Sequence, residues 1–529
     1  MKIKNLFVAM LAGAAMVSCS NEDFESGVNN GAFKNGEKGY VAVNIAAPSA
    51  TRAISGFEAG STEEVTVSKA VFLFLNENFE GCADPCVVEG RDIPEFSNAT
   101  GDGQDKQATV LVIENNKEVP AYIVAVLNPV GVYNADTDLA DLKAEHADYT
   151  ACTNSNFVMS NAVYKGTDGK EVAATPITMD NIKSSAELAE AAPVTIQVER
   201  VVAKVEVDLG TAAENWSGAE EFDGCETKEL ALVIDGWDIL QNTESTTLKN
   251  IKLTWDHNWW NDAAKMRSYW AVDYTDGDRN SLTVADMETP EDGFRYVEET
   301  VNQTANDENK QMGNDVNPYL VVAAHFVEAG TTNPVSLVEW RSRKYTLNGY
   351  LNFIVSNSKV AQYWYKTGEG EYSQFSADLL KMTPVESAAW KNQATLTATA
   401  AAYEYGTFNY DAAGNRVEGS WTSVATSAVK AAVAEFGEVQ YWNGGKTYYY
   451  TPITHETVGT GDAAQKYYGV VRNHLYKVTI NSISGYGTPV ANPGHVIEVP
   501  ERPTDDESYL AAKVVILDWA VVNNLVDLQ

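Results

Sequence analysis

The residues that could do chemistry in this chain are its six histidines, five cysteines and 73 acidic side chains. The histidines are scattered at positions 146, 257, 325, 455, 474 and 495, without the spacing of metal ligands. His257 follows Asp256 and precedes Trp259 and Trp260. An ordinary hydrogen-bonded histidine, on the surface or in the core, explains this pattern better than a functional site. HExxH, GxSxG, a phosphate-binding Walker loop and GxGxxG after a strand are all missing. The sequence therefore predicts no catalytic residue, no cofactor and no metal, and the chain is not expected to be an enzyme.

Two acidic loops and the cysteines give weaker signals, for a calcium site and for a disulfide. Gly101–Asp105 and Asp273–Asn280 could hold calcium weakly, but their spacing differs from an EF-hand loop, which favours solvated turns. The loop from Cys82 to Cys86 contains a proline and could close a disulfide in an oxidising compartment. The disulfide state of these two cysteines and of Cys152 and Cys225 stays open.

Three aromatic clusters could stack on sugar rings: Trp259-Trp260, Tyr363-Trp364-Tyr365 and Tyr448-Tyr449-Tyr450. Neighbouring residues of a strand point to opposite faces, so each triplet places at least one ring on the outside. Such rings also form ordinary cross-strand pairs. A surface glycan-binding lipoprotein is therefore an alternative function.

The N-terminus predicts export. Lys2 and Lys4 precede the apolar stretch Leu6–Val17, which has the length of a signal peptide and is too short to span a membrane. A small residue directly before Cys19 completes a lipobox, and the acidic run Ser20–Asp23 is similar to signals that send outer-membrane lipoproteins to the cell surface. We expect a signal peptide over residues 1–18 and a lipid on Cys19, with a plain secretory signal as the alternative.

Composition supports a secreted protein of more than one domain. The chain has 529 residues, and 44% are hydrophobic and 10% aromatic, which is ample for β-rich cores. The net charge of −35 excludes nucleic acid as a partner, since phosphate contacts need basic patches.

Alternating apolar residues predict two β-sandwich domains with a few short helices. A Pro-rich acidic arm within 489–507 then leads to a last apolar strand. The predicted strands are Gly39–Ala46, Val65–Leu75, Ala108–Glu114, Ala121–Leu127, Val194–Leu209, Leu230–Trp237, Tyr319–Phe326, Leu351–Val355, Val439–Trp442, Tyr467–Ile483 and the last strand, Lys513–Val522. The predicted helices are Leu139–Ala147, Ser376–Lys381 and Ala425–Phe436.

Several segments together resemble the type V pilus fimbrilin family, in particular the shaft protein of minor fimbriae. The resemblance lies in the lipobox, the first strand and the loop at Arg52. It also lies in four further segments: Phe157–Asn161, Val198–Val205, Tyr468–Val478 and Val514–Leu528. The resemblance is strongest near the start, around 157–209 and after 467, and is weak over 225–460.

The resemblance implies an all-β fold of two tandem transthyretin-like or Ig-like sandwiches. The implied divisions are a propeptide over 19–52, domains over 53–210 and 211–488, and an arm with a donor strand over 489–529. It also implies cleavage between Arg52 and Ala53 by an arginine-specific protease.

Cleavage would displace the first strand, which carries Val41, Val43 and Ile45. A neighbouring subunit would fill the groove with its donor strand, in which Val515, Leu517, Trp519 and Val521 are the residues expected to insert. The implied partners are identical subunits in a head-to-tail polymer, anchor and tip subunits, the protease, and host or bacterial surface ligands. The precursor would be an outer-membrane lipoprotein and the mature form part of an extracellular fimbria that supports adhesion and biofilm formation. A tip or anchor subunit of the same fimbria is an alternative role.

Overall fold

The chain is dominated by β-strands, as predicted. A computed structural model describes residues 33–46, 57–59, 61–89, 96–97, 108–149, 157–165, 170–218, 229–240, 246–249, 280–287, 289, 293–301, 318–385, 388–458, 465–494, 496–499 and 510–520. Within these ranges no helix is long and apolar enough to cross a membrane.

The N-terminal part folds around one large apolar core that includes Val43, Phe72, Val124 and Ile196. Its main sheet has the order β4-β3-β7-β9-β13-β1-β5, and β6 pairs with β1. Two of its short helices begin with capping boxes, at Ser61 and at Asp138. The elements are β1 (Gly39–Ala46), β2 (Phe57–Ala59), α1 (Thr62–Val65), β3 (Lys69–Leu75), β4 (Cys86–Glu89), β5 (Phe96–Ser97), β6 (Thr109–Ile113), β7 (Tyr122–Leu127), α2 (Leu139–Ala144), β8 (His146–Ala147), β9 (Met159–Asn161), β10 (Tyr164–Lys165), β11 (Glu171–Val172), β12 (Thr175–Pro176), α3 (Ala186–Glu190) and β13 (Val194–Arg200).

The chain enters its second core directly after β13. Val202 still packs in the first core, whereas Ala203, Val205 and Val207 pack in the second. The predicted single strand Val194–Leu209 is therefore two strands, and the change of core comes before residue 210. The elements that follow are β14 (Val202–Asp208), β15 (Leu230–Leu240), β16 (Thr246–Thr247), β17 (Phe294–Glu298), β18 (Thr300–Val301) and β19 (Tyr319–Glu328), with a 3-10 helix at Val284–Asp286.

A third core then interrupts the second one. It contains Tyr350, Ile354, Tyr405 and Val429. Its elements are β20 (Leu337–Trp340), β21 (Arg343–Thr346), α4 (Leu347–Ser356), α5 (Ser358–Ala361), β22 (Trp364–Gly368), β23 (Glu371–Gln374), β24 (Leu380–Val385), β25 (Ala388–Leu396), α6 (Ala398–Ala401), β26 (Tyr405–Thr407), β27 (Thr422–Val424), α7 (Thr426–Ala434) and β28 (Glu438–Trp442), with 3-10 helices at Ala377–Leu379 and Asn443–Gly445.

Two predicted elements of this part are wrong. Leu351–Val355 is not a strand but lies in α4. The N–H of Gly349 donates to the Thr346 hydroxyl at the start of this helix, and its buried residues Tyr350, Leu351 and Ile354 have helical spacing. The predicted helix Ser376–Lys381 is a short 3-10 turn followed by strand β24.

The last strands return to the second core. They are β29 (Lys446–Pro452), β30 (Thr454–Val458), β31 (Gln465–Val470), β32 (His474–Ile483), β33 (Thr488–Pro489) and β34 (Leu510–Ala520). One sheet has the order β15-β19-β29-β33 and another the order β17-β14-β32-β34-β2. The predicted strand Tyr467–Ile483 is interrupted between β31 and β32, where Asn473 adopts a positive φ of 56°.

Candidate functional site

Strand β1 is held along both of its edges. On one side Gly39–Val43 runs antiparallel to β6, with Val41 opposite Leu111. On the other side Val43–Ala46 runs parallel to β13, with Ile45 opposite Ile196. Beyond the β6 pairing, Ile45 and Ala46 also pair with β5. Removal of β1 would therefore leave unpaired backbone groups on three strands, β5, β6 and β13.

The side chains of β1 are part of the first core. Val41 and Val43 are fully buried, and Ile45 is 1% exposed. Burying side chains of this size contributes about 1.5–3 kcal/mol each. The strand predicted at Gly39–Ala46 is confirmed, and its release stays a prediction.

The C-terminal strand β34 completes a sheet of its own chain. It runs antiparallel to β32, with Val515 opposite Lys477 and Leu517 opposite Leu475. Its other edge runs parallel to β2, where Trp519 is opposite Glu58. The strand that would be donated thus lies beside β2, which follows the predicted cleavage position closely in sequence.

Four of the predicted site residues lie outside the described residues: Cys19, Arg52, Ala53 and Val521. The lipidation and cleavage sites therefore stay predictions.

A buried polar junction joins the two main cores at Arg200. This side chain is fully buried, and its Nε and Nη2 donate to the carbonyl oxygen of Glu64 at 3.0 and 2.8 Å. The backbone N–H of Arg200 donates to Oδ1 of Asn473 at 3.3 Å, and the N–H of Asn473 donates to the carbonyl of Val202 at 2.8 Å. Burial lowers the pKa of Arg200 to about 9, against the opposing effect of Glu64 and Tyr296. The guanidinium stays charged at neutral pH.

The carboxylate of Glu64 anchors the same junction. It accepts hydrogen bonds from Lys204 Nζ at 2.9 Å and from the Tyr296 hydroxyl at 2.7 Å. Burial raises the pKa of Glu64, but the hydrogen bonds from Lys204, the Ser61 backbone and Tyr296 outweigh it and hold the pKa below its ordinary value. Because Lys204 and Tyr296 belong to β14 and β17, this carboxylate ties α1 to the second core.

A second buried arginine completes the junction from the other side. Arg472 Nε is 2.7 Å from Oε2 of Glu299. Its Nη1 donates to the carbonyl of Leu248 at 2.8 Å and its Nη2 to that of Thr247 at 2.6 Å. Leu248 packs in the first core, so Arg472 fixes a segment that crosses between cores.

Lys249 is buried in the N-terminal part beside that segment. Its Nζ donates to Ser160 Oγ at 3.1 Å and to the carbonyl of Asn161 at 2.9 Å. Burial lowers its pKa to about 7, against the opposing charge of Glu199. The amine therefore titrates near neutral pH, inside the fold.

Of the histidines first considered for chemistry, His455 and His474 come together in the second core, with ring centroids 5.3 Å apart. Among the described residues, no group of three or more His, Cys, Asp or Glu could hold a metal ion. Cys82 has a buried thiol that is free in this structure, and burial raises the pKa of this thiol to about 12. Cys152, Cys225, Trp259-Trp260 and the acidic loops before Asn280 lie outside the described residues.

The two described aromatic triplets differ in exposure. Tyr448 and Tyr449 are buried, and Tyr363 and Tyr365 pack on the third core. Trp364 lies on the opposite face of its sheet and is half-exposed.

Sequence reasoning missed the junction. Arg200 and Arg472 lie in the segments that carry the family resemblance, but neither was given a role. An arginine inside an otherwise apolar strand pattern is the available signal, because a buried guanidinium requires several acceptors.

The sheets and cores define an all-β protein in which the first and last described strands each complete a sheet. Residues 440–524 match the family model for the C-terminal region of fimbrillin, the major fimbrial subunit protein type IV. The match makes this C-terminal segment similar to the corresponding region of a fimbrial subunit. No curated protein matches its sequence.

Three solved structures align with most of this chain, at low identity and with low TM-scores. A proposed cell adhesion protein from Bacteroides eggerthii is 9% identical, with a TM-score of 0.37 and coverage of 92% of this chain and 97% of that one. One from Parabacteroides distasonis is 10% identical, with a TM-score of 0.36 and coverage of 92% and 98%. The tip fimbrial protein Mfa3 from Porphyromonas gingivalis, C-terminally truncated, is 11% identical, with a TM-score of 0.34 and coverage of 91% and 100%.

Proposed function

We propose that the chain is the shaft subunit of a surface fimbria and polymerises by donor-strand exchange. It is exported as a lipoprotein bearing its lipid on Cys19 and is cut after Arg52, which releases β1 with the anchor. The C-terminal strand of a neighbouring subunit then enters the vacated position. The polymer forms with anchor and tip subunits and supports adhesion and biofilm formation.

The observation that carries this proposal is the position of β1. It precedes Arg52 in the chain, and it pairs on one side with β6 and on the other with β13. A single cut between β1 and β2 would let an inner strand of the first core leave without breaking any other element. The remaining groove would present apolar side chains such as Leu111 and Ile196, both fully buried in the intact precursor.

The replacement has to be a strand, because a groove with two unpaired backbone edges is satisfied only by another extended segment. β34 is an eleven-residue strand, whereas β1 has eight residues. In the monomer β34 is already paired with β32 and β2. Donation would therefore replace these backbone hydrogen bonds by hydrogen bonds to the neighbouring subunit. Head-to-tail insertion of this kind does not close on itself and yields a filament.

The experiment compares purified precursor before and after cleavage with an arginine-specific protease. Assembly is followed by denaturant-resistant ladders on gels and by electron microscopy. We expect ladders and filaments only from the cut protein, and none from an Arg52→Ala variant or from a chain lacking residues 513–529. Arg341→Ala, at an exposed arginine far from the cut in sequence, is the matched control and should polymerise normally.

Cut protein that stays monomeric would contradict the proposal, as would filaments from the chain without residues 513–529. Unfolding of that shortened chain would instead assign β34 to the sheet of its own subunit. A tip or anchor role would follow if the cut protein capped filaments of another subunit or kept its lipid.

A further inference from the structure

The third core is an insertion that carries a sheet of its own. Residues 337–442 leave the second core after β19 and return before β29, and these two strands are direct neighbours in their sheet. The insertion contains the sheet β23-β22-β26-β27. Neither the first core nor the β1 position depends on it, so its surface is available for a separate task.

One face of this sheet covers the third core and the other points away from it. Tyr365, Tyr405 and Val424 are cross-strand neighbours and pack on the third core. The alternate positions Trp364, Gly406 and Ser423 are also cross-strand neighbours and therefore lie on the opposite face.

Four rings gather on that opposite face. The Tyr372 and Trp421 rings lie 4.5 Å apart at 34°, and both contact Phe408, at 5.1 and 5.2 Å. Trp364 meets Phe408 edge-on at 5.5 Å. We call this set, with Tyr410 and Arg416, the outer aromatic face.

Gly406 lets the outer aromatic face form against the backbone. A Cβ atom at this position would lie 2.5 Å from Cζ2 of Trp421. Only glycine leaves room for the indole to rest on the centre of the sheet. The rings are thus held by mutual contact on paired strands, which keeps the entropic cost of binding low.

Polar groups border the rings. The indole N–H of Trp364 donates to the Tyr410 hydroxyl at 3.1 Å, and the Arg416 guanidinium lies 4.9 Å from the Trp364 ring and 4.6 Å from the Phe408 ring. Phe408 is buried beneath its neighbours, Trp364, Tyr372 and Trp421 are half-exposed, and Tyr410 is 49% exposed. The surface combines flat apolar faces with hydroxyl, indole and guanidinium groups.

We propose that the outer aromatic face binds a neutral oligosaccharide. The C–H face of a sugar ring packs on flat aromatic faces, and its hydroxyls match the hydrogen-bonding groups at the border. The net charge of −35 repels anionic glycans and selects neutral ones. This inference does not depend on strand exchange, and uncut monomeric precursor is sufficient to test it.

The test is retardation of the precursor in native gels containing mannan, xylan, laminarin or galactan. Titration with oligosaccharides from the retarding polymer follows, read by tryptophan fluorescence. We expect retardation by at least one polymer. Trp421→Ala and Tyr372→Ala should each weaken binding about tenfold, since one ring contact is worth up to roughly 1.5 kcal/mol. Trp421→Phe should retain most of the affinity.

Trp390→Ala is the matched control, because Trp390 is a half-exposed tryptophan of the same insertion on another strand. It should bind like the parent chain. Thermal unfolding of each variant separates loss of binding from loss of fold, and Tyr410→Phe alters only a hydroxyl. The proposal is overturned if none of the four polymers retards the precursor, or if the Trp364→Ala/Trp421→Ala double variant is retarded as strongly as the parent. Self-association lost in that double variant, without glycan binding, would assign the face to a second copy of the chain instead.

Discussion

Arg472 and Glu299 form an ion pair in the protein interior, with Nε 2.7 Å from Oε2 and both side chains no more than 2% exposed. The arginine also holds two carbonyl oxygens of the crossing segment at Thr247 and Leu248. The pair therefore connects the second core to chain that packs in the first.

Replacing Arg472 with methionine should destabilise the protein by about 3–5 kcal/mol, because the buried carboxylate of Glu299 would lose its guanidinium partner. Urea unfolding of the full chain measures the effect. Lys359→Met removes one partner of the exposed pair Lys359–Glu435 and should change stability by no more than about 1 kcal/mol. Equal unfolding midpoints for the two variants would contradict the assigned role of Arg472.

Glu64 should make the junction sensitive to acid. Its pKa lies below the ordinary value of 4.5 in the folded protein, so its contribution is complete above that pH and is lost as the pH falls through the folded pKa. Glu64→Gln should lower stability at pH 7 and flatten the pH dependence below 4.5. Urea midpoints measured from pH 7 to pH 3 check this, and parallel profiles for the two proteins would refute it.

Lys249 should give a slope of the same sign, in a window at higher pH. Its folded pKa of about 7 lies below the ordinary 10.5, so between these values the unfolded chain binds the extra proton. Stability should therefore rise with pH from 7 toward 10. Lys249→Met should remove this component of the rise. Chemical denaturation across that range measures it, and an unchanged slope in the variant would show that Lys249 does not titrate within the fold.

Ile45 offers a test that separates precursor from polymer. Ile45→Ala should destabilise the precursor by about 2–5 kcal/mol, because the side chain is buried in the first core. Under the strand-exchange proposal β1 is absent from the mature protein, so filaments made from this variant should melt like those of the parent chain. Scanning calorimetry before and after cleavage compares the two, and filaments weakened by the substitution would show that β1 remains in place.

The regular strands were predictable from alternation alone. Gly39–Ala46 has the predicted bounds, and the strands at Tyr122–Leu127, Tyr319–Glu328 and Glu438–Trp442 agree within a few residues. Each is a run of β-branched or aromatic residues that fits a pleated sheet. The helix Thr426–Ala434 was also predicted, because its apolar residues repeat at helical spacing.

Breaks and sheet changes were not predictable, because they depend on long-range contacts. Nothing in the apolar run around Val201 indicates that it enters a different sheet. Leu351–Val355 has strand propensity, and burial of Tyr350 and Ile354 on one side of α4 overrides it. The acceptors of Arg200 and Arg472 come from distant segments, so their positions depend on the completed fold.

At one of the crossings between the first two cores the connection is a single residue, Val201, flanked by the last residue of β13 and the first of β14. A pulling force that reaches β13 passes straight into β14 and from there into β32, its parallel neighbour. A connection of one residue cannot extend under force, so the neighbouring strands must slide past each other first. The protein should respond to tension as a stiff element whose weakest step is the sliding of strands and not the extension of a linker.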